Sequence, residues 1–227
     1  YLLNNKKQKK KKKTDGLQDV LRDAWTNISL AITDVDVLLS EPKPTTRDGF
    51  LKCSQEVTLD PNTAHRHLLL SDGNRKVTFM DQPQPHPDHP DRFTDWVLVL
   101  SKESLTGRSY WEVEWRGRVG VAVSYKNISR TGSITECLFG LNDKSWSLDC
   151  STNSCVFWYK NTQTPVSGRP SSRVGVYLDH RAGVLSFYSV SDTMTLLHRV
   201  QTSFTQPLHA GVWLNYPEST LEFIKAE

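Results

Sequence analysis

A chain of 227 residues can form one large all-β domain, and seven Trp, seven Tyr and eight Phe supply the bulk of a core. Its formal charge of +3 is unevenly placed: "KKQKKKKK" at residues 6–13 carries seven Lys, and without it 21 basic residues face 25 acidic ones, a net −4. The body therefore lacks the basic face that nucleic acid requires, and no run approaches the roughly 18 to 20 apolar residues that span a bilayer.

The chain opens on Tyr1 rather than Met, as expected of the end of a longer protein, and "YLL" is too short for the apolar core of a signal peptide. Residues 1–14 read as a lysine-rich, disordered lead-in. In residues 15–39, Leu17, Leu21, Ala24, Ile28, Ala31, Val35 and Leu38 alternate spacings of four and three. That heptad seam predicts a helix and a homodimer through residues 15–39. Residues 40–54 read as a linker, from "SEPKPTTRDG".

From about residue 56 short β-rich runs recur. Strands are predicted at 57–59, 67–71, 76–80, 96–101, 109–115, 119–124 and 137–141, then at 145–150, 155–160, 173–180, 184–190, 195–200, 210–214 and 220–224. "SDGN" at 71–74 and "RAG" at 181–183 read as tight turns. In "WEVEW", Trp111, Val113 and Trp115 alternate with Glu112 and Glu114, so one face is expected buried and the other polar. Strands without helical patterns between them imply an all-β sandwich.

Chemistry is sparse. No G-x-S-x-G, Walker loop, H-E-x-x-H or C-x-x-C occurs, and no catalytic residue, metal site or cofactor is assigned. Cys150 and Cys155 could face each other across a hairpin, but all four cysteines are read as buried free thiols of a reducing compartment. Asp60, before Pro61, reads as an Asx-turn, and Trp111, Trp146 and Trp158 as packing. The stretch "QPQPHPDHPDRF" at 82–93 suggests a metal site. However, His86 and His89 each precede a proline, which favours polyproline geometry and sets them roughly 9 Å apart. One zinc ion cannot bridge that distance, so the stretch reads as a stiff connector.

"VTLDPNTAHRHLLLSDGNRKV" resembles the PRY signature, and "SYWEVEW", "VGVAVSY", "FGLNDKSWSL" and "RVGVYLDHRAGVLSFYSV" resemble the successive core motifs of SPRY. Together they assign residues 55–108 to a PRY segment and 109–227 to a SPRY segment of one domain. The chain is similar to the C-terminal region of fish tripartite-motif and NLR-type innate-immune proteins. That resemblance implies a bent two-sheet antiparallel β-sandwich preceded by a short helix. It also implies a non-catalytic module that binds a protein ligand through loops, in the cytoplasm, with nuclear entry through Lys6–Lys13 a further reading. The alternative is the C-terminal domain of a secreted pore-forming venom toxin subunit. The family's binding loops map to residues 81–95, 125–132, 150–154 and 215–219, with Trp96, Tyr125, Lys126, Arg130, Trp213 and Tyr216 as partner-binding candidates. "LDHRAG" departs from the family's L-D-Y-E-A-G and reverses the charge at that edge.

Overall fold

The computed structural model describes residues 43–166, 168, 170–214 and 216–225. The lysine-rich lead-in and the heptad segment lie outside them.

Thirteen strands and two short helices are described. They are α1 (Arg47–Leu51), β1 (Leu68–Ser71), β2 (Lys76–Phe79), β3 (Leu98–Leu100), β4 (Arg108–Arg116), β5 (Val119–Tyr125) and α2 (Ile134–Cys137). There follow β6 (Ser145–Cys150), β7 (Cys155–Tyr159), β8 (Thr162–Pro165), β9 (Arg173–Asp179), β10 (Val184–Val190), β11 (Met194–Gln201), β12 (Leu208–Leu214) and β13 (Thr220–Ile224). One sheet runs β1-β2-β13-β4-β9-β10-β11, the other β3-β12-β5-β6-β7-β8. Every strand pairing is antiparallel. The core forms where alternate residues of the two sheets meet: Val113, Val174, Val176 and Phe187 from the first, Val121, Val123, Trp146, Leu148 and Val212 from the second. The two-residue period of the sequence thus becomes a two-sheet sandwich.

The turns explain two pairings. "SDGN" places Asp72, Gly73 and Asn74 at φ of 52°, 68° and 64°, the left-handed region that such residues tolerate, and so joins β1 to β2. At the β9–β10 hairpin Gly183 has φ of 69°, and a Cβ there would lie 1.7 Å from the Thr202 carbonyl oxygen.

Five expectations are corrected. Strand 137–141 is absent. Ser133 instead caps α2, its N–H donating to Glu136 Oε2 at 2.9 Å in a capping box. Residues 57–59 contribute a single bridge, Leu59 to Ser101. The linker span 40–54 contains α1, whose cap Thr46 accepts from Gly49 N at 3.3 Å. Its Phe50 is buried against Tyr110 and Tyr177, with ring centroids 5.5 and 5.0 Å away. Because α1 lies there, the polar face of "WEVEW" is not solvated at Glu112, which is fully buried. It accepts from Arg47 Nε at 2.8 Å, Arg47 Nη2 at 3.1 Å and Tyr110 OH at 2.7 Å. Burial, then the bond to Glu112, pushes the Tyr110 phenol well up.

The fifth concerns the thiols. Cys150 and Cys155 sit opposite each other in the β6–β7 register and are disulfide-bonded, with Cα atoms 4.2 Å apart, while Cys53 and Cys137 are free. Directly opposite, non-hydrogen-bonded positions bring two Cα atoms this close. The bond closes a short loop, with a sequence separation of 5. By chain entropy such a loop contributes about 2 kcal/mol. Urea denaturation with and without reductant should show that loss, and Cys155→Ser should show it without reductant. An unchanged midpoint in both would contradict it.

Candidate functional site

The side of the six-stranded sheet facing away from the core carries the outward residues of each strand in register. Trp213 on β12 pairs with Gly120 on β5, which pairs with Asp149 on β6, which pairs with Val156 on β7. Loops cover one half of this face. Phe93, Ile128 and Phe139 pack over Leu98, Leu100 and Ala122, with Trp213 at the edge of that cluster. The other half is an open hollow.

Its first wall is aromatic and cationic. The Arg118 guanidinium lies 5.6 Å from the Trp213 ring centroid and 5.2 Å from that of Tyr216, and Nη1 donates to Tyr216 OH at 2.8 Å. Such stacking orients a flexible cation at little entropic cost. Trp213 is 8% exposed, and its Nε1 has no partner among the described residues. Tyr216 is 42% exposed.

The second wall holds Asp149. A cavity of about 260 Å³ beside it is lined by Arg118, Asp149, Ser151, Val156, Trp158 and Gln163, among others. Gly120 makes the approach possible: a Cβ there would lie 3.0 Å from Asp149 Oδ1 and 3.1 Å from Trp213 Cβ. Asp149 Oδ1 accepts from Ser147 Oγ at 2.6 Å. Burial raises its pKa from 3.8 to about 6, against the lowering influence of the Ser147 bond and of Arg118.

That shift has a stability consequence. Between pH 3.8 and 6 the folded protein binds a proton that the unfolded chain releases. The associated stability therefore falls as pH rises through this window and stays lost above it. Asp149→Asn cannot ionise, so it should be more stable than the parent by about 1–2 kcal/mol above pH 7. The figure is discounted because the carboxylate is half-buried rather than sealed. The gain should vanish below about pH 4. Urea denaturation at both pH values measures it, and an equal effect at each would contradict the assignment.

The six sequence candidates separate. Trp213 and Tyr216 come together in the hollow. Trp96 is half-buried, packs on the loop-covered cluster and donates Nε1–H to the Gly132 carbonyl at 3.3 Å. Lys126 is exposed just past β5. Tyr125 is 6% exposed: its ring meets Trp146 edge-on and its OH accepts from Thr205 N at 3.0 Å. Arg130 spends its guanidinium on the carbonyls of Asp91, Ile128 and Lys126 at 2.7–2.8 Å, 4.6 Å from the Phe93 ring. The Tyr125 and Arg130 side chains are thus bonded within the fold.

The proline-rich stretch is likewise structural. His86 Nε2 bonds to the Leu68 carbonyl at 2.7 Å, and His89 Nδ1 accepts from Asp91 N at 3.1 Å. Buried Arg92 draws in the carbonyls of Pro61, Ala64 and Pro87, pinning the loop to the turn where Asp60 Oδ1 accepts from Asn62 N at 3.0 Å. Among the described residues no three His, Cys, Asp or Glu side chains form a metal-binding group, and no helix is long and apolar enough to cross a membrane.

Sequence reasoning missed Arg118, Asp149 and Arg92. Trp158 was seen but read as packing, whereas it lines the cavity.

Known proteins share this frame. The PRY family model, a SPRY-associated domain, matches residues 57–105, and the SPRY domain model matches residues 108–227. Tripartite motif-containing protein 16 of Mus musculus is 38% identical over 206 residues, 89% of this chain and 37% of that protein. Stonustoxin subunit beta of Synanceia horrida is 41% identical over 158 residues, 68% of this chain and 22% of that protein. The crystal structure of the TRIM65 PSpry domain superposes with a TM-score of 0.71 at 28% identity, covering 82% of this chain and all of that one. The chain thus spans well under half the length of these curated relatives. With both family models matched in order and the two-sheet architecture in place, the chain belongs to the PRY-SPRY family of protein-interaction domains.

Proposed function

We propose that this domain is the partner-recognition end of a tripartite-motif-type ubiquitin ligase or innate-immune receptor acting in the cytoplasm, and that it binds its protein ligand in the hollow. Homodimerisation through residues 15–39 would present two such hollows together, and Lys6–Lys13 would allow nuclear entry. The observation that carries the reading is the Arg118–Trp213–Tyr216 cluster, a cation held between two rings at the mouth of a cavity. Arg, Trp and Tyr are the residues that most often dominate binding energy. Trp213 sits on β12, while Arg118 in the β4–β5 turn and Tyr216 just past β12 are held against it by ring contacts and a hydrogen bond, which lowers the ordering cost of association. Lys126 follows the opposite end of β5 from Arg118, away from the hollow.

The reading is tested with a partner captured by the full chain and then titrated against variants. Tyr216→Ala and Arg118→Ala should each weaken it about tenfold or more. Lys126→Ala, at the other end of β5 from the hollow, should change affinity by less than about threefold. Undiminished binding by both hollow variants would refute the assignment.

A second reading, the C-terminal domain of a secreted pore-forming toxin subunit, is favoured by one observation, the Cys150–Cys155 disulfide, since such bonds persist in oxidising compartments. Thiol trapping and mass measurement on protein from its native cells separates the two. A reduced pair supports the cytoplasmic reading, and a fully oxidised pair the secreted one.

A further inference from the structure

Asp149 is a carboxylate without a counter-charge at contact distance. Its Oδ1 takes a hydrogen bond from Ser147, but among the described residues no cationic nitrogen lies within 4 Å of it. Arg118 lines the same cavity, yet its guanidinium is committed to the Trp213 and Tyr216 rings and to Tyr216 OH. A half-buried charge left in this state is costly, and a cation brought into contact with it offsets that cost. The other groups around the acid suit the stem of a long basic side chain: Val156 offers an aliphatic surface, Trp158 an aromatic one, and Gln163 a polar rim. Long basic side chains bury their methylenes on such surfaces while the head finds its partner. The cavity of about 260 Å³ opens to solvent beside the Arg118 cluster, so a segment lying over Tyr216 can drop one side chain into it.

We propose that this cavity receives a Lys or Arg side chain of the partner protein, its head on Asp149 and its stem along Val156 and Trp158. The proposal rests on the hollow being the recognition face and adds the chemistry of what enters it. The basic group would supply the ion pair that the fold lacks, while Arg118 holds the neighbouring wall. Arg118 faces the acid from the β4–β5 turn, Ser147 from β6, Val156 and Trp158 from β7, Gln163 from β8 and Trp213 from β12, so Arg118 is the charged member of this set. Binding should therefore strengthen as pH rises through the titration of Asp149.

The test is a random dodecapeptide display selection on the immobilised full chain. Binding of the selected peptides to the parent, Asp149→Asn and Tyr216→Ala is then measured by fluorescence polarisation. Peptides with a recurrent Lys or Arg are expected. Their binding should fall about tenfold or more in Asp149→Asn, in Tyr216→Ala, and when citrulline replaces Arg or norleucine replaces Lys in the peptide. Asp149→Asn is expected to fold at least as stably as the parent, so a loss there is not an unfolding effect. Peptides that need Tyr216 but carry an acidic or purely apolar anchor, with binding indifferent to Asp149→Asn, would overturn the basic side chain while leaving the hollow as the recognition face. Peptides indifferent to Tyr216→Ala, or no binders at all, would overturn the recognition face itself.

Discussion

Glu112→Ala should destabilise the domain by about 3 kcal/mol, the lower end of the cost of breaking a buried ion pair. The carboxylate is fully buried and bonded to Tyr110 OH and to two nitrogens of Arg47, with Arg173 Nη1 3.6 Å away. Truncation strands a buried phenol and a guanidinium together. Arg47 retains 30% side-chain exposure and can re-solvate, which keeps the loss from the top of the range. The effect should be local first. Arg47 is the polar tether of α1, and Phe50 is its apolar one, so the variant should expose residues 47–53 to protease before global unfolding. Glu112→Gln keeps an acceptor for Tyr110 and should lose less. A Glu112→Ala variant within about 0.5 kcal/mol of the parent in urea denaturation would mean that the network contributes nothing.

Trp146→Ala should cost about 3–5 kcal/mol, as removing a buried aromatic does. Trp146 is 2% exposed. Tyr125 and Phe204 meet it edge-on at 5.5 and 5.1 Å, and Tyr159 stacks on it at 5.2 Å with planes 9° apart. The ring also faces the interior from β6, where Val123 is its paired neighbour. Were Trp146 instead a ligand-stacking residue, its loss would barely move the unfolding midpoint and would chiefly weaken binding. Chemical denaturation followed by circular dichroism decides between these outcomes.

What could be read from the sequence follows from period and length. β4, β5, β9, β10 and β12 were legible because apolar residues recur at alternate positions over seven or more residues. β8 was not, since "TQTP" is exposed throughout and is held only by pairing to β7. α1 spans a single turn next to a linker-like composition, and its helix is held by tertiary contacts of Arg47 and Phe50 rather than by propensity. α2 did leave a signal, the S-x-x-E of its capping box, which β-rich "CLF" obscured.

The site divides in the same way. Trp213 and Tyr216 were reachable through the family's loop map. Arg118 comes from the β4–β5 turn, Asp149 from β6 and Trp158 from β7, and only the folded sheet brings them together. Tyr125 carried its own warning: it is in phase with Val119, Val121 and Val123, so the alternation that buried those valines buried it too. Arg130 gave no such sign, because its role depends on three carbonyls that the folded loops bring to it.

The most direct test of the recognition hollow is photo-crosslinking in cells with p-benzoylphenylalanine at two exposed positions, 216 in the hollow and 196 on β11 of the other sheet. Crosslinks to a protein partner from position 216, and not from 196, are the expected result. Crosslinks from 196 with none from 216 would place recognition on the seven-stranded sheet and contradict the assignment of the hollow.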